Sequence, residues 1–175
     1  MARYVAFLRA VNLGTRRVPM ATACAALERL GYADVGSYVN SGNLLFTSAD
    51  KASACERAIR AELEDVFGFE VTTFVRTATQ VRALARDKPF GELTAGHTHF
   101  VLLPLHRLSA HDKSNVEAMS NDHDEVVVVG RDVHWLIRSK STETTLGSKQ
   151  WRDALPDNPT TARNTTMMAK LVTKL

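Results

Sequence analysis

The chain is short of the residues that usually announce a chemistry. It has two cysteines, Cys24 and Cys55, with no CxxC or Cys/His spacing around them, so no thiol redox pair or structural zinc site is expected. Both fall on apolar faces of predicted helices, Cys24 with Met20, Leu27 and Leu30, Cys55 with Ala52, Ile59 and Val66, and read as buried core thiols. No apolar run approaches the ~20 residues of a membrane helix, so no membrane partner is expected. Arg3 and Arg9 interrupt the one early apolar stretch and no cleavage site follows, so no signal peptide is expected and the cytoplasm is the default compartment. GxGxxG and Walker A patterns are missing, as is the basic-Gly-aromatic pattern of an RNA recognition motif within 42–47. No cofactor or metal is expected. Of the six histidines, His97-x-His99 places two on one face where a strand begins, but no third ligand is identifiable.

What is present is a patterned chain of 175 residues with an ordinary 45% apolar content. Residues 3–9 are apolar on both faces, which suits a central strand covered on both sides. A loop over 10–19 follows, then a helix over 20–30 stopped at Gly31. Short strands near 35–39 and 43–47 flank the turn Asn40-Ser41-Gly42-Asn43, whose residues tolerate tight backbone conformations. A helix over 52–67 ends at Gly68, and a strand over 70–76 completes a βαββαβ unit. Residues 78–86 read as a short helix before a linker, Lys88-Pro89-Phe90-Gly91.

The second half echoes this order. A strand over 99–105, a helix over 109–119 and a hairpin of strands 126–129 and 133–137 around Gly130-Arg131-Asp132 precede a helix within 144–155 and a last amphipathic helix from about 164. No final strand is evident. The expected fold is α+β: a ferredoxin-like plait over 1–88, and an incomplete plait-like half over 89–175 that packs on it and covers the face bearing Phe7 and Phe46. Asp122, Asp124 and Glu125 read as a solvated turn.

Charge is unevenly placed. The net charge is only +3, yet residues 1–27 carry Arg3, Arg9, Arg16 and Arg17, and residues 158–175 carry Arg163, Lys170 and Lys174, with no acid in either segment. If the ends meet they make a positive patch. The loop Asn12-Leu13-Gly14-Thr15-Arg16-Arg17 is small, polar and basic, suited to phosphate or carboxylate. Arg163 and Asn164 precede the last helix, whose N-terminus favours an anion; the competing reading makes Asn164 or Thr165 a plain cap. Ser41 at the hairpin tip has no neighbouring base to activate it.

Tyr4–Asn12 with Gly14 (YVAFLRAVNLG), Val18-Pro19-Met20, Ser41-Gly42-Asn43, Gly147-Ser148-Lys149 and Thr160–Asn164 with Lys170-Leu171 resemble the DUF1697 family of bacterial proteins. The resemblance implies a duplicated ferredoxin-like α+β fold and no established activity. It departs at Thr165, Thr166 and Met167, where the family usually continues with Trp, Asn and Thr. It marks Arg9, Asn12, Ser41, Asn43, Ser148, Lys149, Arg163, Asn164 and Lys170 as positions of interest.

Together these readings point to a binding protein for an anionic ligand, a nucleotide-like small molecule or a nucleic-acid backbone. Arg9, Asn12, Arg16, Arg17, Ser41, Asn43, Ser148, Lys149, Arg163 and Asn164 form its candidate site, converging on one cleft. The alternatives are an enzyme acting on a phosphorylated or carboxylated small molecule, with Lys149 or Ser41 in the chemistry, and a structural or dimerisation module. The oligomeric state is not legible.

Overall fold

The computed structural model describes residues 1–9, 11, 14, 16–39 and 42–175. The fold is α+β, with two four-stranded antiparallel sheets and six α-helices among the described residues. The chain divides into two units, Met1–Ala83 with Lys170–Leu175, and Leu84–Ala169.

In the first unit the strands are β1 (Ala2–Leu8), β2 (Ala33–Ser37), β3 (Asn43–Ser48) and β4 (Thr73–Thr77), in the order β2-β3-β1-β4. Strand β1 is central, as its two-sided apolar pattern requires. Tyr4, Ala6 and Leu8 face a core with Leu27, Phe46 and Ile59, while Val5 and Phe7 are fully buried on the other face. Helices α1 (Met20–Arg29) and α2 (Ala52–Phe67) supply Ala23, Leu27, Cys55, Ile59 and Leu63 to that core at helical spacing. Phe46 stacks between Tyr4 at 5.4 Å and Tyr32 at 4.8 Å. Cys55 is buried and Cys24 half-buried, both without a disulfide. Helix α2 ends where Gly68, at φ +71°, donates its N–H to the Glu64 carbonyl.

Strand β2 is displaced from the 35–39 expected for it. Asp34 takes a positive φ of 51°, the pairing with β3 slips between Ala33 and Gly36, and Arg3 donates to the Asp34 carbonyl at 2.7 Å. Tyr38 and Val39 leave the strand to form the turn.

Helix α3 (Ala78–Arg86) leads into the second unit. Its strands are β5 (Thr98–Pro104), β6 (Asp124–Val129), β7 (Asp132–Ile137) and β8 (Thr160–Asn164), in the order β6-β7-β5-β8. Helix α4 (Ala110–Glu117) starts at a capping box in which the Ser109 and Asp112 side chains each accept from the other's backbone N–H. A 3-10 turn (Ser141–Glu143), α5 (Ser148–Ala154) and α6 (Thr165–Val172) complete the order. The core holds Leu102, Val116, Val133, Trp135, Ile137 and Leu155.

Two expectations are corrected here. The second half is not incomplete: residues 160–164 form an eighth strand paired with β5, Val101 opposite Arg163 and Leu102 opposite Ala162. Asp124 is not in a solvated turn. It is fully buried, and its carboxylate accepts from Trp135 Nε1 (2.8 Å), Thr144 Oγ1 (2.6 Å), and Thr145 N and Oγ1 (2.9 and 2.8 Å). Burial alone would raise its pKa, but the donors of Thr144, Thr145 and Trp135 prevail and hold it below the usual carboxylate range.

Side chains close two sheet edges. On β6, Val126 N–H donates to Ser120 Oγ and Val128 N–H to Glu117 Oε1, both at 2.9 Å. On β4, Val75 N–H donates to Glu56 Oε2 at 2.9 Å. These contacts occupy donors that an added strand would use.

Candidate functional site

Three connections of the first unit meet at one rim, beyond the end of β1. Leu8 N–H donates to the Gly42 carbonyl at 2.7 Å, and Arg9 N–H to the Thr72 carbonyl at 2.9 Å. The loop after β1 is closed at its base by Val18 N–H on the Val11 carbonyl at 3.1 Å, with both valines buried. Gly42 is required there. Its φ is +77°, and a Cβ would lie 2.9 Å from Leu8 Cβ and 3.1 Å from Val11 Cγ2. The loop after the first strand and the following hairpin turn are therefore adjacent.

Arg9, Arg16 and Arg17 are exposed on this rim. Two of the guanidinium groups are held by their surroundings. Arg16 lies over the Phe69 ring at 5.3 Å from its centroid. Arg17 Nη1 donates to the Gly14 and Arg16 carbonyls at 3.0 and 3.1 Å, which fixes the fork without neutralising it. Among the described residues no carboxylate forms an ion pair with any of the three. Asn12 and Ser41 lie outside the described residues. Asn43 is fully buried, and its Nδ2 donates to the Tyr38 carbonyl at 3.0 Å, so it shapes the turn from within.

Of the other expected residues, Ser148, Lys149, Arg163 and Asn164 belong to the second unit and Lys170 to the first. Ser148 and Lys149 are exposed in the first turn of α5, and Lys149 pairs with Asp153 one turn on. Arg163 sits in β8 and is only 8% exposed, donating from Nη1 to Thr161 Oγ1 at 2.7 Å and to the Ala162 carbonyl at 2.8 Å. Burial brings its pKa down to about 10, which leaves it charged at neutral pH. Asn164 Oδ1 accepts from Thr166 N–H at 2.8 Å and so caps α6. Lys170 is exposed.

Sequence reasoning missed a histidine pair. The His97-x-His99 spacing pairs His99 with His97, but His99 meets His134 on β7, Nε2 to Nδ1 at 3.0 Å. His99 is 5% exposed and His134 fully buried. Desolvation, then the neighbouring His134, pushes the His99 pKa down to about 4; desolvation also lowers that of His134, against the pull of Asp132 and Asp87. Both rings are neutral at neutral pH. The only signal available was the register of β5 on β7, which no local motif encodes. Among the described residues no group of three metal-ligating side chains exists. Phe7 and Phe46 are fully buried, so neither offers a base a stacking face.

The family model described as "Protein of unknown function (DUF1697)" matches residues 1–134. The chain belongs to the DUF1697 family. No curated protein sequence matches it significantly. The solved structure of a conserved bacterial protein from Streptococcus pneumoniae is similar over 100% of this chain and 98% of its own, with a TM-score of 0.76 at 21% identity. That likeness shows the fold alone and says nothing of a ligand. Among the described residues no helix is long and apolar enough to cross a membrane.

Proposed function

We propose that this DUF1697 protein binds an anionic ligand, a phosphate- or carboxylate-bearing group, at the rim built by the loop after β1. The observation that carries this reading is the trio Arg9, Arg16 and Arg17, exposed and unmatched by any carboxylate among the described residues. Phe69 beneath Arg16 and the Gly14 carbonyl on Arg17 limit how far two of these forks move, which lowers the ordering cost of binding. Charge-assisted hydrogen bonds from guanidinium to phosphate or carboxylate are among the stronger polar contacts. We also read both units as ferredoxin-like plaits, because each runs strand-helix-strand-strand-helix-strand and orders its strands alike, β2-β3-β1-β4 and β6-β7-β5-β8.

The enzyme reading draws less support. Lys149 is exposed and ion-paired, which gives it no buried, activated amine, and Ser41 lies outside the described residues.

Titration calorimetry with pyrophosphate and with a single-stranded oligonucleotide tests the proposal. Binding should weaken at least about tenfold when Arg16 and Arg17 are both replaced by Ala. If the ligand is a nucleic-acid backbone met by three arginines, the logarithm of affinity should fall with the logarithm of salt at a slope near −2. Failure of both probes to bind, or equal binding by the double variant, would overturn it.

A further inference from the structure

A pocket in the second unit presents a donor unconnected with the arginine rim. His134 Nε2 is buried and has no partner among the described residues. One nitrogen of the 3.0 Å His99–His134 contact carries the shared proton. If it were His99 Nε2, neutral His134 would carry its own hydrogen on Nε2, a buried N–H with nothing to receive it. Orphaned buried N–H groups are rarer than orphaned acceptors. The favoured arrangement therefore has His134 Nδ1–H donating to His99 Nε2, which leaves the His99 hydrogen on Nδ1. Among the described residues no group accepts from that N–H.

His99 lines a pocket of about 290 Å³ together with Asp87, Lys88, Phe90, Thr165 and Thr166. Phe90 meets the His99 ring edge-on at 5.2 Å. Thr165 and Thr166 open α6, whose N-terminal end carries partial positive charge. The Thr165 hydroxyl donates to the His99 carbonyl at 3.2 Å, which ties the helix start to the histidine. Two acids also line the pocket, Glu92 paired with Lys88 and Asp87 paired with Arg86.

We propose that this pocket binds a small monocarboxylate, its oxygens accepting from His99 Nδ1–H and the Thr166 hydroxyl at the start of α6, with its apolar part against Phe90. His134 is a positioning residue that holds His99 in the donor tautomer.

Benzoate is the probe, a single carboxylate on a flat apolar ring, with neutral benzamide as the contrast. In nuclear magnetic resonance titrations, benzoate should give saturable shifts at Phe90, His99, Thr165 and Thr166, and benzamide should bind far more weakly. His99→Phe should weaken benzoate about tenfold, the loss of one charge-assisted hydrogen bond. His99→Asn, whose amide nitrogen stands near the place of Nδ1, should restore most of the affinity. Thr166→Val, at an exposed position, should weaken binding severalfold and serves if His99→Phe does not fold. Nitrogen-15 spectra should show His99 protonated at Nδ1. No saturable shift, equal benzamide binding, unchanged affinity in Thr166→Val, or a proton on His99 Nε2 would each overturn the proposal.

Discussion

Acidifying the protein from pH 7 to pH 5 should cost stability through the histidine pair. The unfolded imidazole takes up a proton near 6.5, whereas the folded His99 does so only near about 4. Between those values the unfolded state binds more protons, so stability falls with pH across that window and is unaffected by this group above about pH 7. The full shift corresponds to about 3 kcal/mol, of which roughly 2 kcal/mol is lost by pH 5. Both rings are 5% exposed or less, so little solvent screening reduces the effect. Asp132 and Asp87 act on His134 in the opposite direction and make the pair's total less than twice this figure. The clean comparison is the double variant His99→Gln, His134→Asn. Its amides stand near the two bonded ring nitrogens and keep a hydrogen bond without titrating. Urea denaturation at pH 7 and pH 5 should show the wild type losing at least about 2 kcal/mol more than the double variant. Parallel losses would refute the reasoning, as would an imidazolium seen in the folded protein at pH 6.

Two further perturbations follow from the same structure. Asp124→Asn turns one acceptor oxygen toward its own donors as an NH2 group and should destabilise by roughly 2–3 kcal/mol, read from urea unfolding through Trp135 fluorescence, with the 141–146 segment losing amide protection first. Glu117→Ala frees the Val128 N–H on the β6 edge; it should cost only about 1 kcal/mol but raise concentration-dependent association, measured by light scattering.

The elements were legible wherever apolar residues recur at the period of a helix or strand. Helix α2 spans the expected 52–67, and α3 the expected 78–86. Strand β8 was not, because Thr160-Thr161-Ala162-Arg163-Asn164 lacks apolar alternation; it is a strand because β5 offers it a ladder. The turn at 40–43 was legible from composition, but nothing local shows that Asn43 points inward to hold the Tyr38 carbonyl. Asp124 looked like one of three neighbouring acids. Only Trp135, Thr144 and Thr145, distant in the chain, make it a buried acceptor.

By itself the sequence determined the α+β class, the βαββαβ order of the first half, the centrality of β1 and the basic loop after it. These depend on local periodicity, turn chemistry and charge. The tertiary structure alone decided that Arg163 is buried in a strand and that His99 and His134 share a proton. Each of these depends on strand register, with Val101 opposite Arg163 on one side of β5 and opposite His134 on the other. Register joins residues far apart in the chain through backbone hydrogen bonds that every residue but proline can make, and so it leaves no local mark in the residue types themselves.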